Sequence, residues 1–333
     1  MKAVLAHQYG PPESLVFDDV PPRVAGPGEV VVSVHAAAVN FPDTLMIEDK
    51  YQIRPPMPFS PGGEVAGTIR EVGAGVSGFQ PGDAVIAACR WGGFAEEVVT
   101  TPDRLVPVPH GVQMEVAASF LIAYGTTHYA LQDCAGLKAG ETLLVLGAAG
   151  GTGLSAIELG KLMGAKVIAA ASTEEKLALC CERGADDTIN YASEDFRERI
   201  KALTDGRGVD VVYDPVGGDY AEPALRSMAW RGRYLVVGFT AGIPRVPLNL
   251  PLLKGCSIVG VFYGAFGKAE PERYAALRSE LVGWLAEGKL APTITERFPL
   301  ERATEALRIV ADRKAVGKIV LTTALGRQSS RLA

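Results

Sequence analysis

Short runs of β-branched residues dominate the first third of the chain. Glu29–His35, Val65–Val72, Asp83–Ala88, Phe94–Thr100 and Leu105–Val108 each read as a strand. Pro27-Gly28, Pro61-Gly62 and Pro81-Gly82 punctuate them as turns. This grammar predicts a compact β-rich domain, built as a partly open barrel. Near residue 115 the period changes. Met114–Gln132 reads as helix, and strands then alternate with helices. Strands are expected at Thr142–Leu146, Lys166–Ala171, Thr188–Asn190, Val209–Tyr213, Tyr234–Val237 and Ser257–Val261. The intervening helices are Gly153–Met163, with Leu154, Ile157 and Leu162 on one face, Glu174–Arg183 and Phe196–Thr204. Such alternation predicts an α/β fold, a doubly wound parallel sheet with helices on both faces.

Helices Glu272–Ala286 and Arg302–Asp312 and strand Lys318–Thr323 have no place in a six-stranded sheet already complete. They are expected to return to the first domain. The resulting division is 1–122 with 265–333, interrupted by 123–264. The polar residues Gly326 to Ala333 read as a tail without function.

Composition narrows the class. Among 333 residues, 48% are hydrophobic and 21% charged, which supports a large core and argues against disorder. Lys and Arg number 33 against 38 Asp and Glu, a net charge of -5. Nucleic acid is therefore excluded as the principal partner, since no basic excess exists to neutralise phosphates. No apolar run approaches the roughly 20 residues that span a bilayer. The start, Met1 to Glu13, lacks the pattern of a secretory signal, so a cytoplasmic location off the membrane is expected. The five cysteines form no C-x-x-C pair, and the four histidines stand at no metal-ligand spacing. Neither a disulfide framework nor a metal site is expected.

One segment carries chemistry. Leu144-Val145-Leu146-Gly147-Ala148-Ala149-Gly150-Gly151-Thr152-Gly153 follows a strand and opens a helix. Small residues let a backbone approach a pyrophosphate, and the helix start supplies unpaired N–H groups and positive partial charge. Ala148 stands at the first glycine of the G-x-G-x-x-G fingerprint, while Gly150 and Gly153 hold the other two. At the next strand end an NAD site usually carries an acid that bonds the ribose. Here the strand runs into Ser172-Thr173, and Lys176 follows one turn later. A hydroxyl and a cation suit a 2′-phosphate, which a carboxylate would repel. Glu174 and Glu175 read as partners of the helix dipole.

Together with these features, Val39-Asn40-Phe41-Pro42-Asp43, Pro61-Gly62-Gly63-Glu64-Val65-Ala66-Gly67, Pro81-Gly82-Asp83, Gly184-Ala185-Asp186, Asp214-Pro215-Val216-Gly217-Gly218 and Gly317-Lys318 appear in a telling order. The chain resembles the medium-chain dehydrogenase/reductase superfamily, in its zinc-free NADPH:quinone oxidoreductase or zeta-crystallin branch. That resemblance implies a GroES-like catalytic domain interrupted by a Rossmann domain that carries NADPH. Ser172, Lys176 and Tyr191 would then surround the 2′-phosphate. Ala149, Gly150, Gly151, Thr152 and Gly153 would meet the pyrophosphate, and Thr126 the nicotinamide ribose. Gly217, Gly238, Phe239, Phe262, Tyr263 and Lys318 would also lie along the cofactor. Zinc-dependent relatives place a Cys shortly after the strand that here ends at Asn40, and a His where Gly63 stands. Both are missing here, as are the four clustered cysteines of a structural zinc lobe.

Without zinc, a substrate oxygen must be polarised by hydrogen bonds. Asn40 can donate its amide to that oxygen or hold the nicotinamide ribose, and Tyr51 can donate its hydroxyl or deliver a proton. The expected activity is NADPH-dependent reduction of a quinone or α,β-unsaturated carbonyl. One alternative is an enoyl-thioester (acryloyl- or crotonyl-CoA type) reductase, for which Arg54, Arg90 and Arg231 are the candidate phosphate-binding cations. Another is a non-catalytic NADPH-binding, crystallin-like protein. The apolar sixth strand, Ser257–Val261, is expected at a sheet edge and invites a homodimer.

Overall fold

The computed structural model describes residues 1–329. Their backbone forms two compact units, Met1–Ile122 with the chain from Val282 onward, and Ala123–Leu281.

The spine of the first unit is the strand Val30–Val39, buried along nearly its whole length. Burial on both faces explains why it reads as a continuous apolar run and not as an alternating one. One edge pairs antiparallel with Val65–Val72. The other is shared by Glu97–Thr100 at its start and Lys318–Thr322 at its end. Strands Ala84–Ala87 and Leu105–Pro107 extend the sheet on one side, and Ile294–Pro299 on the other, to make seven. Val32, Val65, Ile69, Val85, Phe94, Val98 and Leu321 share one hydrophobic cluster inside it.

Two helices of this unit bear on the site and fall outside the sequence reading. Helix Phe41–Ile47 begins where Pro42 occupies the first turn and the Asp43 carboxylate accepts the Asn40 backbone N–H at 2.8 Å. Gly326–Ser329, the described part of the polar tail, belong to a helix, Ala324–Ser329, laid on the spine. A Cβ on Gly326 would sit 2.1 Å from the His35 carbonyl oxygen, so only glycine permits this approach. Thr323 secures it by donating to the Val34 carbonyl at 2.6 Å. The rest of that segment, 330–333, lies outside the described residues.

The second unit is a six-stranded parallel sheet in the order Asp187–Asn190, Lys166–Ala171, Thr142–Leu146, Val209–Asp214, Met228–Val236, Ser257–Gly260. Strand order reverses between Thr142–Leu146 and Val209–Asp214, and ligands of doubly wound sheets bind beyond the strand ends at that point. Leu154, Ile157 and Leu159 of helix Gly151–Leu162 are buried, but Leu162 is exposed. At 100° per residue, position 162 projects only about 20° from the buried Ser155, so its exposure goes with its place as the last residue of the helix and not with its face. The expected helix Met114–Gln132 is broken into Met114–Ala118, Leu121–His128 and a π-helical turn, Tyr129–Cys134. Ser119 ends the first piece, its hydroxyl bonded to the Glu115 carbonyl at 2.8 Å. Among the described residues, no helix is long and apolar enough to cross a membrane.

Candidate cofactor and substrate site

Gly147 takes the left-handed conformation at φ 57°, directly after strand Thr142–Leu146. The tight turn is made there, one residue before the place the fingerprint assigns it, which is why Ala148 is tolerated. Gly150 caps helix Gly151–Leu162. A Cβ on Gly153 would lie 2.5 Å from the carbonyl oxygens of both Gly147 and Ala148. The third glycine therefore lets helix and strand approach closely, and the first-turn N–H groups of Gly151, Thr152 and Gly153 lack intrahelical acceptors. These residues fit a dinucleotide pyrophosphate: backbone, small side chains and a helix start converge at the switch point.

At the tip of strand Lys166–Ala171, Lys176 Nζ lies 3.3 Å from Ser172 Oγ. The Thr173 hydroxyl caps the following helix by accepting the Lys176 backbone N–H. Of the two carboxylates between Ser172 and Lys176 in sequence, Glu174 is engaged at 2.6 Å by the Asn190 side chain. The Tyr191 ring packs on Tyr220 with centroids 4.5 Å apart. The structure thus joins Ser172 to Lys176.

Gly217 and Gly218 both have positive φ, and Asp214 shapes their loop by accepting the N–H groups of Val216 and Gly217 at 2.7 and 2.8 Å. Tyr234 donates to the same carboxylate. Gly238 and Phe239 follow on the neighbouring strand's exit, with Gly238 N–H bonded to the Asp214 carbonyl. Phe262 is half exposed. Tyr263 instead packs beside Tyr274 and against Gly125, where a Cβ would meet its hydroxyl at 2.2 Å. Thr126 is partly open, whereas Thr127 turns inward to bond Ser155 at 2.7 Å and Tyr213 at 2.9 Å. This hydroxyl chain ties the phosphate-turn helix to its neighbours. Sequence reading missed it, because Thr, Ser and Tyr so far apart carry no spacing signal.

The first unit holds a buried polar cluster. Asn40, partly open, accepts at Oδ1 from Lys318 Nζ at 2.6 Å, while its Nδ2 makes only long contacts, 3.4 Å to the Ala38 carbonyl and 3.5 Å to Glu64. Glu64 is fully buried and accepts the Ile122 N–H at 2.8 Å. Asp43 is also buried and accepts the N–H groups of Asn40 and Gly62. Burial pushes the carboxyls of Asp43, to about 7, and Glu64 upward, and pushes Lys318 downward. Lys318, expected along the cofactor, is 5% exposed and directed at Asn40 and Glu64. Tyr51 packs against the hydrophobic cluster, and burial, then the Asp43 charge, raises its hydroxyl pKa.

Asp43 predicts a pH dependence of stability. Between its ordinary 3.8 and about 7 the folded chain retains a proton that the unfolded chain releases. Its contribution therefore falls as pH rises through that window and levels above it. Urea unfolding of wild type and Asp43→Asn from pH 4 to 8 should show a wild-type excess loss with rising pH. Parallel profiles would contradict this.

Residues 151–281 match the family described as zinc-binding dehydrogenase, and residues 26–110 the alcohol dehydrogenase GroES-like domain. A quinone oxidoreductase-like protein 2 from Bos taurus is 40% identical over 92% of this chain and 89% of its own length. A quinone oxidoreductase from Pseudomonas aeruginosa is 36% identical over 94% of this chain and 97% of its own. The Escherichia coli quinone oxidoreductase solved with NADPH superposes with a TM-score of 0.91, at 30% identity, covering 97% of this chain and all of that one. The chain belongs to the medium-chain dehydrogenase/reductase superfamily, in its quinone oxidoreductase branch.

Its first unit is the GroES-like domain of that family and its second the Rossmann-like one. It is an oxidoreductase of the medium-chain type. Gly63, and not a histidine, precedes Glu64. Cys89, the first cysteine of the chain, is buried with its thiol pushed up to about 12, the opposite of a metal-ready thiolate. Among the described residues no group of three His, Cys, Asp or Glu is placed to hold a metal ion. Of the arginines considered for a coenzyme A phosphate, Arg54 is paired with Asp49 at 2.7 Å.

Proposed function

We propose that the chain is an NADPH-dependent, zinc-independent reductase of quinones or α,β-unsaturated carbonyls. The observation that carries the cofactor half is the strand tip, where Lys176 and Ser172 stand together and Glu174 is tied to Asn190. NADPH, when bound, supplies the hydride. Gly150 to Gly153 hold its pyrophosphate. Ser172, Lys176 and Tyr191 hold the 2′-phosphate, and Thr126 the nicotinamide ribose. Gly217, Gly238, Phe239, Phe262 and Tyr263 shape the groove. Asn40 donates from Nδ2 to the substrate oxygen, and Tyr51 donates from its hydroxyl. The structural relative solved with NADPH supports the cofactor, and the quinone oxidoreductase relatives support the substrate class.

NADPH oxidation with 1,4-benzoquinone, an enone and crotonyl-CoA tests the reading. Turnover of the first two is expected. Turnover of crotonyl-CoA alone would replace it with a thioester reductase, and none with any acceptor would favour a non-catalytic NADPH-binding protein. Dialysis against a strong chelator is expected to leave the rate unchanged. Loss restored by zinc would refute zinc independence.

We also propose a homodimer. Among the described residues Ser257–Gly260 pairs with one strand only, and Trp230, Leu248, Leu252 and Ile258 are exposed large apolar residues on or beside the last two strands. Two copies joined edge to edge would satisfy the open edge and cover these side chains. Sedimentation is expected to give twice 35.1 kDa at micromolar concentration. A stable monomer would remove the proposal.

A further inference from the structure

Lys318 opens the last strand of the first unit, Lys318–Thr322, which runs antiparallel to Val30–Val39 with Ile319 opposite Val39. That register sets Lys318 beside Asn40, although 278 residues separate them in sequence. Its ammonium lies 2.6 Å from Asn40 Oδ1 and 3.9 Å from Glu64 Oε2. An ammonium has hydrogens to give and no lone pair to receive one, so the amide atom facing it is the oxygen. The other end of the amide agrees. Nδ2 faces two acceptors, the Ala38 carbonyl and Glu64 Oε2. Amide orientation is decided by networks of this kind. Both contacts of Nδ2 are longer than ordinary N–H···O bonds, so its hydrogens are loosely engaged and remain able to meet a ligand acceptor. The buried Glu64 carboxylate in turn holds the ammonium, since each charge would be costly there alone.

We propose that Lys318 is a positioning residue that holds the Asn40 amide in one orientation, with Oδ1 engaged by the ammonium and Nδ2 kept as the donor. A charge-assisted bond to Oδ1 also polarises the amide and strengthens its N–H groups as donors. The inference rests on the reading of Asn40 as the substrate donor. It gives Lys318 a role through Asn40 in place of direct contact with the cofactor.

The test is a double-mutant cycle on the full chain with NADPH and 1,4-benzoquinone. Lys318→Met alone leaves Glu64 without its counter-charge and can misfold. The cycle therefore treats Lys318→Met with Glu64→Gln as one paired change, so that both charges leave together and neither is stranded. With Asn40 present, this paired change is expected to lower kcat/KM roughly tenfold. With Asn40→Leu, the same change should cost less than about twofold, because nothing remains to orient. Lys318→Arg, with Glu64 intact, should recover most of the rate. Equal losses in both backgrounds, or no loss with Asn40 present, would overturn the positioning role while leaving Asn40 as donor. An Asn40→Leu enzyme with unchanged kcat/KM would instead overturn the reading of Asn40 itself.

Discussion

Lys176→Ala is expected to lower kcat/KM with NADPH by roughly 10- to 100-fold and leave NADH kinetics nearly unchanged. Lys176 Nζ sits 3.3 Å from Ser172 Oγ, so a cation and a hydroxyl already converge at the strand tip. Each charge-assisted bond to a 2′-phosphate contributes on the order of 1.5–3 kcal/mol, and a partly open position such as this delivers the lower end. NADH has no phosphate there and nothing to lose. The measurement is kcat/KM for both cofactors with one quinone, in wild type and mutant. Equal use of both cofactors by the wild type would sink the 2′-phosphate reading. Equal losses on mutation would make Lys176 a structural residue.

Gly153→Ala is expected to act on both cofactors together. Its Cβ would press to 2.5 Å on two carbonyl oxygens, and backbone cannot swing aside as a flexible side chain can. Helix Gly151–Leu162 must shift from the strand, at a cost of about 1–3 kcal/mol in stability. The first-turn N–H groups move with it, so NADPH and NADH affinities should each fall at least about tenfold. Gly150→Ala is the informative control. There a Cβ meets the nearest backbone oxygen at 3.4 Å, so the free protein should keep its melting temperature. Cofactor titration and thermal unfolding of both variants check the pair. A Gly153→Ala protein with wild-type stability and affinities would contradict the packing argument.

The two variants mark what a linear reading captures. Strands Thr142–Leu146 and Lys166–Ala171 lie where the apolar runs predicted, because a strand covered on both faces must be apolar throughout. The turn between Leu146 and Gly151 was legible for the same reason that it is built from small residues. By contrast, strand Met228–Val236 begins well before the predicted Tyr234. Arg231 at φ 62° and the exposed Trp230 interrupt its apolar pattern. Strand Ile294–Pro299 was missed because Thr295, Glu296 and Arg297 give it little apolar signal. In the candidate site, Asn40 and Ser172 were visible through local motifs. The burial of Lys318, Glu64 and Asp43 was not, since it arises from pairing between opposite ends of the chain.

That pairing governs the order in which the protein can be made. Strand Val30–Val39 leaves the ribosome early, yet half of one edge waits for Lys318–Thr322. The parallel sheet between them contains only contacts spanning 142 to 260 and can close long before residue 322 is synthesised. Contacts between remote segments form slowly, because a long loop must be ordered first. Through most of translation the spine therefore carries an unpaired, apolar edge. This is the interval in which a nascent chain of this protein would most need a chaperone.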